Sequence, residues 1–360
     1  DSVLRASGCR TGLYTSPHLH TVRERVQIDG VPIGRAEVIE WLGRHRGILD
    51  AEAGLTTFEA LTVMAFSTFA ARKVDVAVVE VGLGGRLDTT NVVRPVVSVI
   101  TAIGLDHTRV LGDTIGQIAS DKAGILRAGV PAVLAPQQAE AEAVLQSRVR
   151  DLSLRCVRVG HDAVVRRARQ LSSGQRLIVD CPGWSDRHTF RIGLLGAHQR
   201  VNAVTALCVA HLLGEAGWPI DRRAIADGMA AASWPGRFEL LRSRPPVVVD
   251  GAHNPAAAEA LSTTMDERLP GLGRVLLLGF SRDKDVDAVL ERVLPGARWV
   301  VATRADHPRA MEADDVARAV RRHLPIGSST RVQVANVPAA ALDVALAAAG
   351  DTAAVVATGS

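Results

Sequence analysis

The chain has 360 residues, 47% of them hydrophobic and 22% charged, which is typical of a folded protein, and its length favours two domains over one. Its formal net charge is only +4, and just 3% of its residues are aromatic, so the stacking side chains that nucleic-acid binding uses are scarce. We therefore expect anionic small molecules, and no nucleic acid, as partners.

The chain also lacks sequence features of membrane insertion and export. It contains no apolar run of about 18 residues and no signal peptide, so we expect no membrane partner. Its four cysteines, at positions 9, 156, 181 and 208, have no metal-binding spacing and are expected to be buried, reduced thiols. These features predict a cytoplasmic protein, which we expect to be a monomer.

Helical and strand patterns alternate through the first 150 residues. Residues 1 to 8 have the pattern of the last turns of a helix, and residues 11 to 15 that of a strand. Further predicted helices cover 36–49, 56–72, 114–128 and 137–149. The predicted strands between them cover 75–81, 96–102 and 131–135. This alternation is the signature of βαβ units in a parallel sheet.

The pattern changes near residue 154. Short strands with polar turns follow, and we expect them to be antiparallel: R-C-V-R-V, Q-R-L-I-V-D-C and H-T-F-R-I-G-L. After helices near 197–216 and 221–232, the run Ser233-Trp234-Pro235-Gly236 interrupts the chain, since Pro and Gly end helices. Alternation then resumes, with strands near 247–250, 274–279, 297–302, 330–334 and 352–358. We therefore predict domains over 1–232 and 238–360, joined by a linker over 233–237.

The first domain has a polar cluster in the run V-V-E-V-G-L-G-G-R-L-D-T-T-N, from Val78 to Asn91. Ligands bind at the carboxyl ends of strands in open α/β sheets, and Glu80 ends such a strand just before three glycines. A carboxylate there suits Mg²⁺; the alternative is a residue that caps the next helix. His107 follows the next strand beside Asp106, in the same topological position. His107 therefore has two interpretations: it forms a joint site with Glu80, or it has a purely structural role.

Two more residues of this domain have a functional and an ordinary interpretation. Ser16, in the loop T-S-P-H-L, follows a strand and could offer its hydroxyl to a metal or a phosphate. Lys122 lies in the helix S-D-K-A-G-I, where a solvent-facing lysine is the ordinary expectation.

The second domain has a similar strand end in V-V-V-D-G-A-H-N-P. Asn254 and Pro255 are explained as the cap and first turn of a helix, but Asp250 and His253 are not. Arg237, just after the linker, could neutralise a phosphate in a cleft between the domains; the alternative is a surface arginine. Two polar strand ends, one in each domain, suggest two α/β domains that face one cleft.

Together these runs resemble the folylpolyglutamate synthase and dihydrofolate synthase family, within the Mur ligase superfamily. The similarity rests on ordered motifs along the whole chain: T-S-P-H-L, R-E-R-V-Q-I-D-G, T-T-F-E-A-L-T, V-V-E-V-G-L-G-G-R-L-D-T-T-N, I-G-L-D-H, S-D-K-A-G-I, G-A-H-Q-R-V-N-A, P-G-R-F-E and V-D-G-A-H-N-P. The resemblance implies an α/β fold with an N-terminal, parallel-sheet, P-loop-type nucleotide-binding domain. It also implies a smaller, Rossmann-like C-terminal domain.

The resemblance implies roles for individual residues. Ser16 and Glu80 match ligands of the magnesium on the ATP phosphates, His107 matches a ligand of a second metal, and Lys122 matches a carbamylated lysine that also binds metal. The family positions that contact ATP match Asn202, Arg237, Asp250 and His253. The pteroate or folate is held by positions that match Ser16, Pro17, His18, Thr57, Phe58 and Asp88. Among these residues, His107, Lys122, Arg237 and His253 are the expected catalytic groups.

The implied reaction activates a carboxylate with ATP, and L-glutamate then forms an amide. The acceptor is dihydropteroate or a reduced folate, and the cofactors are ATP and Mg²⁺. Two alternatives stay open: a Mur-type ligase that acts on cell-wall precursors, and a non-catalytic protein with the same fold. The runs T-S-P-H-L, T-F-E and D-T-T-N argue against the first alternative.

The chain departs from the family at one point. The family's glycine-rich phosphate loop, of the form G-T-N-G-K-G-S, has no counterpart, since no G-x-x-x-x-G-K-[ST] occurs in the sequence. We expect truncation rather than decay, because the later site residues are intact and the sequence opens on helix and closes on a strand. A decayed paralogue would be inactive.

Overall fold

The computed structural model describes residues 1–181, 183 and 186–360. The chain forms two compact units, which we describe separately. The first unit comprises Asp1–Gly193 and Arg200–Ala232, and the second comprises Leu194–Gln199 and Ser233–Ser360. The linker predicted over 233–237 stays a prediction.

The first unit alternates helices with short strands. In chain order these are α1 (Ser2–Ala6), β1 (Thr11–Tyr14), β2 (Val26–Ile28), β3 (Val31–Pro32), α2 (Arg35–Ala51), α3 (Thr57–Ala71), β4 (Val76–Val79), β5 (Ser98–Ile100), α4 (Thr108–Leu111), α5 (Ile115–Lys122), β6 (Ala132–Leu134), α6 (Ala139–Asp151), β7 (Cys156–Arg158), β8 (Val164–Gln170), β9 (Gln175–Asp180), β10 (His188–Ile192), α7 (Ala197–Glu215) and α8 (Arg222–Ala231). Helix α7 begins among residues of the second unit.

Three sheets form in this unit. The sheet β3-β2-β1-β4 joins β1 and β4 in parallel, and β2 and β3 extend it antiparallel. The sheet β5-β6-β7 is parallel, and the sheet β10-β9-β8 is antiparallel. The α/β class predicted from the sequence is confirmed.

Two details of the prediction are wrong. Cys156–Arg158, expected to be antiparallel, pairs in parallel with β6, with Val133 opposite Val157. The 13-residue helix α6 lies between these strands, and a crossover helix returns the chain in the same direction. The helix expected over 114–128 ends at Lys122 and continues as a 3₁₀ turn, Ala123–Ile125, which contains Gly124, a poor helix former that packs directly against Arg86.

The second unit is a single six-stranded sheet with helices on both faces. In chain order its elements are β11 (Glu239–Ser243), β12 (Pro246–Asp250), α9 (Pro255–Arg268), β13 (Gly273–Gly279), α10 (Val286–Val293), β14 (Ala297–Ala302), α11 (Ala313–His323), β15 (Arg331–Val334), α12 (Pro338–Ala349) and β16 (Ala353–Gly359). The strand order is β11-β12-β16-β13-β14-β15, and all neighbours run parallel except the edge strand β11.

Alternate residues of the central strands face two different cores. On β13, Leu276 and Leu278 pack with α9, α10 and α11, whereas Val275 and Leu277 pack with α12. A strand buried on both faces is apolar throughout rather than alternating, which is why this segment has a continuous hydrophobic run. Asp250 is the last residue of β12, at the carboxyl end of the strand.

Within the described residues, no helix is both long enough and apolar enough to cross a membrane.

The close contact between α8 and α1 gives a test of packing. A Cβ atom at Gly228 would lie 2.6 Å from the backbone nitrogen of Val3, and Val3 is buried. We therefore expect Gly228→Ala to lower the free energy of unfolding by about 1–3 kcal/mol, because the backbone of α1 would have to move. Urea unfolding followed by circular dichroism measures this change.

Gly43 in α2 is the matched control, since a Cβ there meets nothing within 4 Å. Gly43→Ala should raise the free energy of unfolding by about 0.5–1 kcal/mol, as expected for an open position inside a helix. Equal effects of the two substitutions would show that α1 and α8 do not pack as described.

His188 on β10 gives a test by pH. This histidine is buried, and burial lowers its pKa from the usual 6.5 to about 4. Between these values the unfolded chain binds a proton that the folded chain does not bind, so the free energy of unfolding should fall as pH falls from 6.5 to 4. Urea unfolding at several pH values should show a shallower fall for His188→Gln than for the unmodified protein. An equally steep fall in both proteins would contradict the burial of His188.

Candidate functional site

The parallel pairing of β1 with β4 brings Ser16 and Glu80 together. Tyr14 lies opposite Val79, so the two strands end side by side, and the Glu80 amide donates to the Tyr14 carbonyl at 2.9 Å. The Ser16 amide then donates to Glu80 Oε2 at 2.8 Å. The backbone thus places a hydroxyl-bearing residue against a carboxylate at one edge of the sheet.

This pair fits a magnesium site better than a dedicated metal cage. In the part of the chain that the structure describes, no group of three His, Cys, Asp or Glu side chains is arranged to hold a metal ion. Mg²⁺ is usually bound by one or two protein oxygens, and water and phosphate complete its coordination. The hydroxyl of Ser16 and the carboxylate of Glu80 are donors of that kind.

A glutamate holds the far end of the loop that follows β1. The Glu24 carboxylate accepts hydrogen bonds from the amides of Leu19 at 2.8 Å, His20 at 3.0 Å and Thr21 at 2.8 Å. The next residue, Arg25, donates from Nε to His18 Nδ1 at 2.9 Å. The loop that carries Ser16, Pro17 and His18 is therefore fixed at both ends.

Asp88 holds the glycine loop after β4 in a similar way. Its Oδ2 accepts from the amides of Gly82 at 3.1 Å and Leu83 at 2.9 Å. Its Oδ1 accepts from the amide of Thr90 at 2.9 Å and also from the Thr90 hydroxyl. Both oxygens of this predicted substrate-binding residue are thus engaged in shaping residues 82–90.

The ring of Phe58 packs beneath the same loop. A Cβ at Gly82 would lie 2.7 Å from Phe58 Cε2, so only glycine allows this approach. The centroids of the Phe58 and Tyr14 rings are 5.6 Å apart. Thr57 is the exposed first residue of α3, whose N-cap, Thr56, accepts from the Glu59 amide at 3.2 Å.

Lys122 is half-buried against the glycine loop instead of facing solvent. Its Nζ donates to the Gly84 carbonyl at 3.5 Å, and a Cβ at Gly85 would lie 2.9 Å from the Lys122 Cα. Burial lowers the pKa of this amine, although Asp121, Asp106 and Asp88 oppose the shift. The environment therefore makes the neutral, nucleophilic form of the amine more accessible.

His107 lies beyond the end of β5 in a left-handed backbone conformation, with φ of 52°. Its amide donates to Asp106 Oδ1 at 2.8 Å, and its side chain is half exposed. The Asp106 carboxylate acts electrostatically on Lys122, which connects this strand end to the lysine.

In the second unit, Asp250 organises the end of β12. Its carboxylate accepts from the amides of Phe238 and Ala252, each at 2.8 Å, and burial raises its pKa. The Gly251 amide donates to the Gly236 carbonyl at 2.9 Å, which holds Arg237 beside this turn. The neighbouring strand β16 contributes the hydroxyl of Thr358, which donates to the Ala252 carbonyl at 3.0 Å.

Arg237 and His253 both lie beside Gly251. A Cβ at Gly251 would lie 2.6 Å from Arg237 Nη1, so the glycine leaves room for the guanidinium. His253 Nδ1 is 2.8 Å from the Gly251 carbonyl, and Asn254 caps α9 by accepting from the Ala257 amide at 2.9 Å. The predicted residues Arg237, Asp250 and His253 are therefore neighbours around one turn.

Asn202 lies elsewhere, on an exposed position of α7 in the first unit. Two surface cavities of about 430 and 550 Å³ share Leu154 and Arg155, and no predicted site residue lines either one. Neither cavity bears on the strand-end sites.

Two residues, Glu24 and His198, were not predicted from the sequence, and only Glu24 had a local signal. Glu24 follows Thr21 by three positions, the spacing of a capping box. His198 had no such signal: burial lowers its pKa, and Asp250 and Arg237 act on it electrostatically.

Comparisons with known proteins agree on a family. The Mur ligase middle domain matches residues 33–210, and the Mur ligase glutamate ligase domain matches residues 236–360. The dihydrofolate synthase/folylpolyglutamate synthase of Bacillus subtilis (strain 168) is 35% identical over 322 residues, which are 88% of this chain and 75% of that protein.

Solved structures show the same similarity. The folylpolyglutamate synthase of Mycobacterium tuberculosis, complexed with ADP and AMPPCP, is 36% identical with a TM-score of 0.88, over 99% of this chain and 84% of that one. FolC of E. coli, in complex with DHPP and ADP, is 30% identical with a TM-score of 0.85, over 99% of this chain and 80% of that one.

Proposed function

The chain belongs to the folylpolyglutamate synthase and dihydrofolate synthase family of Mur ligases, and from that membership we infer that it is an ATP-dependent ligase that adds L-glutamate to a folate or to dihydropteroate. Fold alone would not support an activity, because one fold hosts many reactions. The observation that carries the proposal is the match to named ligases over most of the chain. In this chain, Ser16 and Glu80 lie together at the strand ends.

We propose that the reaction runs through an acyl phosphate. The γ-phosphoryl group of ATP passes to a carboxylate oxygen of the acceptor, and ADP leaves. The amine of L-glutamate attacks the carbonyl carbon, the C–N bond forms, and phosphate leaves. These steps need positioning and neutralisation of negative charge more than covalent help from the protein.

In the first unit, Ser16 and Glu80 would hold magnesium, which neutralises phosphate charge when bound. His107 would be a ligand of a second metal ion. The support for these roles is the hydrogen bond that joins Ser16 to Glu80 and the exposure of the His107 ring at the next strand end.

Lys122 would act as a carbamate. Carbon dioxide adds to a neutral amine, and burial of Lys122 favours that form. The product is an anionic oxygen donor, which suits a metal site, whereas an ammonium group does not.

In the second unit, we propose that Arg237, Asp250 and His253 contact ATP. The guanidinium of Arg237 is suited to phosphate, since it presents several N–H groups in a fixed plane. Asp250 would set the turn that presents the other two side chains, because both its oxygens accept backbone hydrogen bonds. Asn202 is proposed as a further nucleotide contact on the family resemblance.

The acceptor would be bound by the loops of the first unit. Pro17 and His18 lie in the loop fixed by Glu24, Phe58 and Asp88 contact the glycine loop, and Thr57 precedes Phe58 at the start of α3. The side chains of Leu83 and Leu87, which precede Asp88, are 38% and 83% exposed and offer apolar contact for an aromatic ring. The cytoplasmic location and the monomeric state stay predictions.

The reaction itself is the first test. With ATP, L-glutamate and either dihydropteroate or tetrahydrofolate, a purified form of the protein that includes the family's phosphate loop should form a glutamyl amide, detected by mass spectrometry. Phosphate release should require both glutamate and an acceptor, because the acyl phosphate is the coupled intermediate. Parallel assays with the two acceptors distinguish synthesis of dihydrofolate from extension of folates. Turnover of a muramyl substrate, with none of either pteridine, would contradict the proposal.

Lys122 gives a second test. We expect Lys122→Ala to lose most of its activity, and added short-chain carboxylic acids should restore part of it by supplying the missing oxygen donor. Lys284→Ala, which removes another of the three lysines, should keep normal rates. Full activity of Lys122→Ala without any added acid would contradict the carbamate and return Lys122 to an ordinary structural role.

A further inference from the structure

Glu24 gathers three consecutive backbone amides at the end of the loop that carries Ser16 and His18. We propose that Glu24 is a positioning residue for the ligase reaction, because its carboxylate holds this loop in the conformation that places Ser16 against Glu80. The inference rests on the proposed function, since the loop matters only if Ser16 and its neighbours bind magnesium and acceptor.

The hydrogen bonds exceed what a helix cap requires. An ordinary capping box returns one bond from the glutamate to the amide of the N-cap residue, here Thr21 at 2.8 Å. Glu24 also accepts from the two preceding amides, those of Leu19 at 2.8 Å and His20 at 3.0 Å. The Leu19 bond uses Oε2, and the other two share Oε1. The carboxylate therefore binds the loop itself as well as the start of the 3₁₀ helix Val22–Arg25.

Three hydrogen bonds from backbone amides require an ionised carboxylate as the acceptor. The bond from the Leu19 amide is the largest influence that lowers the pKa of Glu24, so its carboxylate stays charged to a lower pH than an unbonded glutamate. Charge-assisted bonds of this kind are stronger than neutral ones. A glutamine offers one acceptor oxygen, and its NH₂ group would face amides that also donate.

The two ends of the loop are linked through this segment. At the start, the Thr15 amide donates to the Arg25 carbonyl at 3.0 Å and the Ser16 amide donates to Glu80. In the middle, His18 accepts from Arg25. At the end, Glu24 holds Leu19 to Thr21. Loss of the Glu24 charge would free the last third of the loop and loosen the frame in which Ser16 and His18 sit.

A purely structural cap is the competing explanation, and the chain contains a matched example. Glu37 caps the start of α2 by accepting from the Gly34 amide at 2.7 Å, and it pairs with Arg72. Hydrogen bonds also lower the pKa of Glu37. It differs from Glu24 in holding no segment that carries a proposed site residue, so Glu37→Gln is the control.

The experiment compares Glu24→Gln and Glu37→Gln in steady-state kinetics and in hydrogen exchange. For Glu24→Gln we expect the KM for the pteridine acceptor and the magnesium concentration that gives half-maximal rate to rise about tenfold, the factor that one charge-assisted hydrogen bond is worth. Peptides that cover residues 15–21 should exchange faster. Glu37→Gln should exchange faster only near Gly34 and should keep both kinetic values.

Two results would overturn the proposal. The first is unchanged kinetics in Glu24→Gln despite faster hydrogen exchange, which is the behaviour of a helix cap alone. The second is unchanged hydrogen exchange at residues 15–21 of Glu24→Gln. Should Glu24→Gln not fold, Glu24→Asp keeps both oxygens, shortens the reach by one methylene and supports the same comparison. Failure of the unmodified protein to form any amide would instead contradict the proposed function. That outcome is distinct, because it precedes any difference between variants.

Discussion

The parallel pairing of β1 with β4 is the constraint on which the candidate site of the first unit depends. It aligns the two strand ends, so that the Ser16 amide reaches the carboxylate of Glu80, 64 positions further along the chain. The glycine loop that follows β4 then packs on Phe58 from one side and on Lys122 from another. A shift of one residue in this pairing would turn alternate side chains to the opposite face and separate the loops that now meet.

Carboxylates that accept backbone amides recur in three loops near strand ends. Glu24 takes three amides, Asp88 takes those of Gly82, Leu83 and Thr90, and Asp250 takes two in the second unit. Each bond satisfies a loop amide that has no partner in a strand or helix, and each concentrates negative charge near a turn. Positive groups therefore settle close by, as Lys122 does beside Asp88 and Arg237 does beside Asp250.

The sequence predicted the parts of the molecule that repeat a pattern. Apolar runs that end in glycine and an acidic residue located Glu80 and Asp250, and the βαβ rhythm predicted the sheet of the second unit. Strands β2 and β3 escaped notice because two or three residues carry no period. The direction of β7 was wrong because polarity alone does not show which neighbour a short strand joins. The burial of Lys122 depends on Gly84 and Gly85, distant in sequence, and no local pattern reports it.

The loops around the site are shaped through backbone N–H groups, which every residue except proline supplies. Side chains at positions such as Leu19, His20 and Leu83 take no part in the bonds to Glu24 and Asp88. They can therefore be exchanged without loss of the loop geometry, as long as the two acidic anchors stay. A scaffold of this kind separates the conformation of a binding loop from its chemical surface, so that new acceptor preferences can arise by substitution at the loop tips while the strand-end machinery is retained.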